Sequence, residues 1–320
     1  MKVINKKIKI LLFILVSSNI NIAIAGALEE GLKAAKIKDY ITALKYWKPL
    51  AEEGNSIAQF NIARMYMRGH GVKKNLQVAS EWYSKAAKQD HPLAQLNLGY
   101  MYDNGLFFKK DYEKSASLYL SAAKKGIPAA EFNMGQIYLQ GKGVEKDLKK
   151  SLVWFKRAAG NKHKIAQHQL GTFYYNGING VEQNYSTALK WFMKAAKNGY
   201  VNSQFSTGLM YGEGIGTSKN LKKAAYWYKK AAEKGNGMAQ YNLSAMHASG
   251  EGVEKNMEQA YKWLYQSAIN GFPEAQFRLA ISYHQGKGFK KSLSKATMWL
   301  KKAASQGHEN SIKILNSNSK

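Results

Sequence analysis

The sequence predicts an all-α fold, a right-handed α/α superhelical solenoid of stacked antiparallel helix pairs. Three observations predict it. An Ala-Gln-x-x-Leu-Gly-like phrase returns at Ala58, Ala94, Ala130, Ala166, Ser203, Ala239 and Ala275, in steps of 36 residues with one step of 37. A second phrase keeps that register, with Trp at 82, 154, 191, 227, 263 and 299 and Leu118 in the one remaining place. Each period also holds two helix-like patterns, each followed by a stop signal. A unit this short cannot bury its own apolar face, so it must lean on its neighbours.

The first helix of a unit is read from the repeat Ala. After Ala58, residues Ile62, Met65 and Tyr66 fall at +4, +7 and +8, on one helical face. Position +5 is small in every copy (Ala63, Gly99, Gly135, Gly171, Gly208, Ser244, Ala280), as close approach of another helix requires. Gly69, Gly105, Gly141, Gly177, Gly214, Gly250 and Gly286 then end the helix, glycine entering the left-handed turn at little cost. Pro92, Pro128 and Pro273 belong to first turns, where a missing N–H is no loss.

The second helix opens on a capping residue: Asn75, Asp111, Asp147, Asn184, Asn220, Asn256 or Ser292. Their side-chain oxygens can accept from N–H groups that lack a partner inside the helix. A small residue follows at +4, Trp or Leu118 at +7, Tyr, Phe or Leu at +8, and a small pair at +11 and +12. The Trp row is expected in the core. A Gly at +15 stops the helix in five copies, with Asp90 and Lys162 as the exceptions.

In this order the motifs resemble the Sel-one-like repeat, a longer-looped relative of the tetratricopeptide repeat. The resemblance implies seven complete repeats at 55–90, 91–126, 127–162, 163–199, 200–235, 236–271 and 272–307. Residues 26–54, with a shorter loop, are read as an N-terminal capping half-repeat, and 308–320 as a capping helix with a polar tail. Two copies depart from the pattern. One has an extra residue between Gly177 and Val181. Another has Phe107 and Phe108 where the others carry a second loop glycine and Val, together with Leu118 for Trp. Either this aromatic pair meets a partner, or Phe108 fills the Val pocket and Phe107 compensates for the smaller Leu118.

The N-terminus reads as an export signal. Lys2, Lys6, Lys7 and Lys9 precede a short apolar run from Ile10 to Val16, and Ala23-Ile-Ala25 offers a small-x-small cleavage site before Gly26. The run is too short to span a bilayer, which needs about 20 apolar residues. Residues 1–25 are therefore a signal peptide, and the mature protein is expected in the periplasm or secreted. The 48 basic residues less those four lysines, set against 21 acidic ones, leave +23. The remaining lysines recur in register with the repeat, as a solvating coat does.

At 100° per residue the buried face of the first helix centres near +4, so +2, +6 and +9 point away from it. In related arrays the first helices line the concave wall, which makes these rows, with the flanking +3 row, the expected partner-binding surface. The +2 row includes Phe60, Leu96, Phe132, His168, Phe205, Tyr241 and Phe277. The +6 row includes Arg64, Tyr100, Gln136 and Thr172, and the +9 row Met67, Asp103 and Tyr175. Asn61, Asn97, Asn133 and Asn242 at +3 supply amides that can pair with a peptide backbone. The +2 aromatics are equally suited to packing between units. This mostly aromatic, aliphatic and amide wall suits a protein segment better than a polyanion.

Catalytic chemistry is not evident. The seven histidines occupy unrelated repeat positions without metal-ligand spacing, and cysteine is absent. Two of the five aspartates are read as helix caps. Ser121-Ala-Ala-Lys124 and Ser292-Leu-Ser-Lys295 match Ser-x-x-Lys but follow from repeat register, without the accompanying Ser-Asp-Asn and Lys-Thr-Gly elements. Some cysteine-rich relatives are described as β-lactamases, a trait this cysteine-free chain does not invite. The expectation is a monomeric, non-catalytic scaffold without cofactor, metal or nucleic acid, binding a protein: an envelope or host protein, or a toxic effector it masks. The alternative is an anionic polymer or lipid held by the basic outer face.

Overall fold

The computed structural model describes residues 22–317. The predicted signal peptide up to residue 21 and the last three residues lie outside the described residues. All regular structure among the described residues is helical. The chain divides into two compact units, one ending at Arg157 and one beginning at Ala158. The first contains α1 (22–36), α2 (Tyr40–Glu52), α3 (Ser56–Arg68), α4 (Leu76–Lys88), α5 (Pro92–Asn104), α6 (Tyr112–Lys124), α7 (Pro128–Gln140) and most of α8 (Leu148–Gly160). The second contains α9 (Lys164–Asn176), α10 (Tyr185–Lys197), α11 (Val201–Glu213), α12 (Leu221–Ala232), α13 (Gly237–Ser249), α14 (Met257–Ile269), α15 (Pro273–Gln285), α16 (Leu293–Ala304) and α17 (Glu309–Ser317). Within each unit a first helix packs on its second helix, and that on the first helix of the next pair. This is the α/α solenoid architecture of helix pairs.

Local chemistry accounts for the boundaries. Each expected cap accepts a hydrogen bond from the backbone N–H three residues on, as Asp147 does from Lys150 at 2.8 Å and Asn184 from Thr187 at 2.8 Å. Asp39 does the same for α2 through Thr42, at 3.1 Å. The first helices of the complete repeats end on glycines in the left-handed region, with φ of 70° at Gly105 and 84° at Gly250. His91 and His163 cap α5 and α9, each Nδ1 accepting from a backbone N–H at 3.2 Å.

The second helices are rotated relative to the sequence expectation. The tryptophans at 82, 154, 191, 227 and 263 are half-buried, and only Trp299 in that row is fully buried. The core residue is the next one along: Tyr83, Tyr119, Phe155, Phe192, Tyr228, Leu264 and Leu300 are all buried. Three of the half-buried indoles instead carry a cation from the basic residue three positions later, whereas Lys230 lies over Tyr226 rather than Trp227. Lys85 lies 4.3 Å from the Trp82 ring centre, Arg157 4.6 Å from Trp154 and Lys194 4.2 Å from Trp191.

Packing answers the Phe108 half of the question the aromatic pair raised. Phe108 stacks on Tyr102 at 4.4 Å and joins the cluster that contains Leu118. Phe107 is 53% exposed and takes the left-handed conformation (φ 69°) of the loop glycine it replaces. Phe108, not Phe107, thus shares the space beside Leu118.

Candidate functional site

The first helices carry one buried row that the helical wheel placed at the margin. Position +1 is Gln59, Gln95, Glu131, Gln167, Gln204, Gln240 or Gln276, all buried. Each glutamine Nε2 donates to the carbonyl eight residues upstream, on an alanine of the preceding second helix. The distances include 2.9 Å for Gln167 to Ala159 and 2.9 Å for Gln240 to Ala232. That carbonyl belongs to the last turn of a helix, where intrahelical partners run out. Glutamine Oε1 accepts in turn from an amide at the end of its own repeat: Gln89, Asn198, Asn270 or Gln306, at 2.8–2.9 Å. Where lysine takes that place, at Lys125 and Lys234, the buried Oε1 of Gln95 and of Gln204 has no partner. In the remaining copy Glu131 pairs with Arg157 Nε at 3.3 Å.

This row changes which positions face outward. The buried arc covers 0, +1, +4, +5 and +7, so its centre lies between the repeat Ala and its Gln, and +6 stands opposite. Arg64 and Tyr100 in that row are exposed, Tyr100 by 48%, while Gln136 and Thr172 are half-buried. The +2 row is largely taken up by packing. Phe60 is buried and stacks on His91 at 4.7 Å, and Phe277 stacks on His308 at 4.7 Å. Tyr241 meets Phe272 at 5.4 Å, while Phe132 and Phe205 lie 5.6 and 5.8 Å from Phe155 and Tyr228 of their own second helices. Leu96 packs into the α6–α7 core. Of the two roles the sequence left open for this row, packing is the one these contacts show, with Phe60 buried and the others half-buried.

His168 belongs to the same scheme. Its Nδ1 lies 2.8 Å from Ser203 Oγ and its ring 5.0 Å from Tyr200. Ser203 is the one copy of the repeat Ala replaced by a hydroxyl, and His168 is the one +2 imidazole, so the two exceptions answer each other. Burial holds the His168 pKa below the ordinary imidazole value. Thr172 Oγ1 donates to the His168 carbonyl at 3.2 Å, and Tyr175 meets Tyr185 edge-on at 5.1 Å.

At +3, Asn61 is buried, Asn97 Nδ2 donates back to the Leu93 carbonyl at 2.7 Å, and Asn133 and Asn242 are half-buried. Two cavities in the first unit gather several candidates. Asp103, Asn133 and Gln136 line one of about 170 Å³ with Tyr119, and Asn61 and Arg64 line another of about 130 Å³. Met67 is half-buried on the α3–α4 cluster. Arg64 and Arg68 act on the buried Tyr83 hydroxyl, whose pKa burial nonetheless raises to about 12. No described cluster of His, Asp or Glu is placed to hold a metal.

Charge divides between the two helix rows. Helices α3, α5, α7, α9, α11, α13 and α15 carry only Arg64, Arg68, Lys164 and Arg278 as basic residues, whereas α12 alone carries Lys222, Lys223, Lys229 and Lys230.

An array of short helix pairs with a nearly lysine-free wall belongs to the class of helical-repeat binding proteins. The model of the Sel1 repeat matches residues 19–55, 56–91, 92–127, 128–163, 164–200, 201–236, 237–272 and 273–308. The chain belongs to the Sel1 repeat family, whose repeats build interaction scaffolds that are generally non-catalytic. The matched stretch 19–55 takes in the segment 26–54 that reads from sequence as a cap. Among solved structures, it is similar to c5321 of uropathogenic Escherichia coli, described as a protective antigen with an SLR fold. The identity is 35% and the TM-score 0.77, over 84% of this chain and 57% of that one. The chain thus spans little more than half of that protein. It is also similar to a Sel1 repeat protein from Oxalobacter formigenes, at 30% identity and a TM-score of 0.69, over 92% of this chain and 86% of that one. No curated protein sequence matches the chain.

Proposed function

We propose that this protein is exported, processed between Ala25 and Gly26, and works without catalysis as a scaffold that holds a partner protein along its first-helix wall. The observation that carries this reading is the contrast between the two helix rows. The second helices are thick with lysine, while the first helices of the first unit leave Tyr100, Gln136 and Arg64 without a side-chain hydrogen bond on a wall with few charges. Mixed aromatic and amide surface of that kind suits a peptide chain. The partner is an envelope protein, a host protein or a toxic effector. The description of the E. coli relative as a protective antigen supports surface or host exposure for a protein of this kind.

The test is an affinity capture from envelope extract with the chain from Gly26 onward, at low and then moderate salt. Retention of one or a few proteins through the salt step, weakened by Arg64→Glu with Tyr100→Ala, is expected. Retention of only anionic polymer or lipid, lost as salt rises, would move the working surface to the lysine-rich second helices.

A further inference from the structure

Arginine is scarce in this lysine-rich chain. Its 48 basic residues include only Arg64, Arg68, Arg157 and Arg278. Two of these are committed to ion pairs: Arg157 Nε pairs with Glu131 at 3.3 Å and Arg278 Nε with Glu274 at 2.7 Å. The other two stand one helical turn apart on α3 and have no ion-pair partner among the described residues. Both line the cavity of about 130 Å³ between α2, α3 and the loop that follows it.

The rest of that cavity is suited to an oxyanion on an apolar stem. No acidic side chain lines it. Asn61 does, only 6% exposed, and its amide makes no hydrogen bond among the described residues. Tyr40 and His70, stacked at 4.6 Å, form one wall, and Trp47 and Met65 contribute apolar surface. The polar atoms of Asn61 are not among those sealed inside the fold without a partner, so the amide opens onto the cavity and is free to meet a ligand there. Arginine differs from lysine in presenting a planar fork that matches a carboxylate at two oxygens.

We infer that this cavity receives a carboxylate carried by the partner protein, with Arg64 and Arg68 engaging the oxygens and Asn61 Nδ2 donating from the floor. The inference rests on the protein-binding reading and gives it a chemical anchor. The carboxylate is an acidic side chain or a chain terminus. The cavity holds one such group and its first methylenes, with the apolar surface against the stem.

Four arginines give four Nε–Hε signals, which makes the test direct. The chain from Gly26 onward, with all matched repeats from 56 on intact, is titrated in about 0.15 M salt, where exposed charges are screened beyond about 8 Å. The probes are an amide-capped hexapeptide with one central Glu, the same peptide with Gln and a free C-terminus, and inorganic phosphate. The Arg64 and Arg68 signals are expected to shift saturably with one or both peptides while Arg157 and Arg278 stay. The Glu peptide responding alone identifies a side-chain carboxylate, and the free terminus alone identifies a chain end. Arg64→Gln with Arg68→Gln should weaken peptide binding at least tenfold, with the melting profile unchanged. The inference is overturned if neither peptide gives a saturable shift, if phosphate binds more tightly than both, or if all four signals move alike. A captured protein held equally well by the double variant would also end it while leaving the scaffold reading intact. Saturable peptide binding with no protein captured would do the reverse.

Discussion

Gly171→Ala sets two physical effects of opposite sign against each other. In an ordinary helix interior alanine is favoured over glycine by about 1 kcal/mol, so the substitution in α9 should stabilise. The structure argues otherwise. A Cβ at Gly171 would lie 2.6 Å from both Cδ1 and Cε1 of Phe192 and 3.0 Å from its Cγ. Phe192 cannot simply swing away, because it is buried among α9, α10 and the His168 ring, 5.2 Å distant. Overpacking of this kind costs about 1–3 kcal/mol, and so outweighs the propensity gain. The other copies bound the estimate: Ala280 and Ser244 face the slimmer Leu300 and Leu264, while Ala63 faces Tyr83, so a methyl and a ring can coexist when the pair separates. A net loss of about 1–2 kcal/mol is expected. Denaturant unfolding together with amide exchange in α9 and α10 measures it, since stacked repeats need not unfold in one step. Phe192→Leu in the same chain should recover part of the loss, a coupling of about 0.5 kcal/mol or more. If Gly171→Ala proves neutral or stabilising, close approach at +5 is not what fixes the glycine.

Three further outcomes follow from the same packing. Phe107→Gly should stabilise the protein by about 1 kcal/mol, because a bulky residue then leaves the left-handed region, and thermal unfolding checks it. Lys234→Asn places an amide where Asn270 stands in the next repeat and should satisfy Gln204 Oε1, adding about 1 kcal/mol in denaturant unfolding, whereas an unchanged midpoint would dissolve the ladder argument. Stability should fall as the medium is acidified below about pH 6.5. Burial holds the pKa values of His91, His163 and His168 below the ordinary 6.5, so the unfolded chain takes up protons first. That stability is fully present above about pH 6.5 and is lost as pH falls toward the folded-state values. His168→Phe with Ser203→Ala, the pairing that Phe60 and Ala94 already use, should flatten part of the slope in a pH series of melts.

What was legible in the sequence is what local chemistry fixes. Caps such as Asn184 and stops such as Gly105 act within three or four residues of themselves, so their spacing alone locates the helices. The rotation of each second helix is a different kind of fact. Trp191 and Phe192 are neighbours 100° apart on one helix, and either could face inward until the opposing Gly171 is placed. The larger ring went outward because the slot over glycine admits a phenyl and not an indole, and Lys194 then covers it. The Gln row carried a clear signal, a constant polar residue beside a constant alanine. A wheel centred on +4 still left it peripheral, because its partners are a carbonyl on the preceding helix and an amide about 30 residues downstream. The Arg64 cavity was only half visible, since Tyr40 and His70 reach it from a different helix and a loop.

The two helix rows treat their cations differently, and that difference bears on function. Lys85, Lys194 and Lys302 lie over the indoles of Trp82, Trp191 and Trp299 at 4.2–4.4 Å, so their register follows the Trp row. At Trp82 and Trp191 they cover half-buried aromatic surface and keep it wet, which accounts for part of the basic coat without any polyanion. Such charges still contribute to a field that draws an acidic partner, but field strength alone does not discriminate among acidic partners. Discrimination needs groups that the fold has left over. Once the glutamine ladder and the ring contacts at +2 are set aside, few remain on the first helices of the first unit, among them Tyr100, Gln136 and the α3 arginines beside Asn61, with Arg64 also 5.6 Å from the Phe60 ring centre. A scaffold built from one repeated sentence can recognise a particular partner only where its copies differ, and Arg64 and Arg68 are one place where the copies of this chain differ.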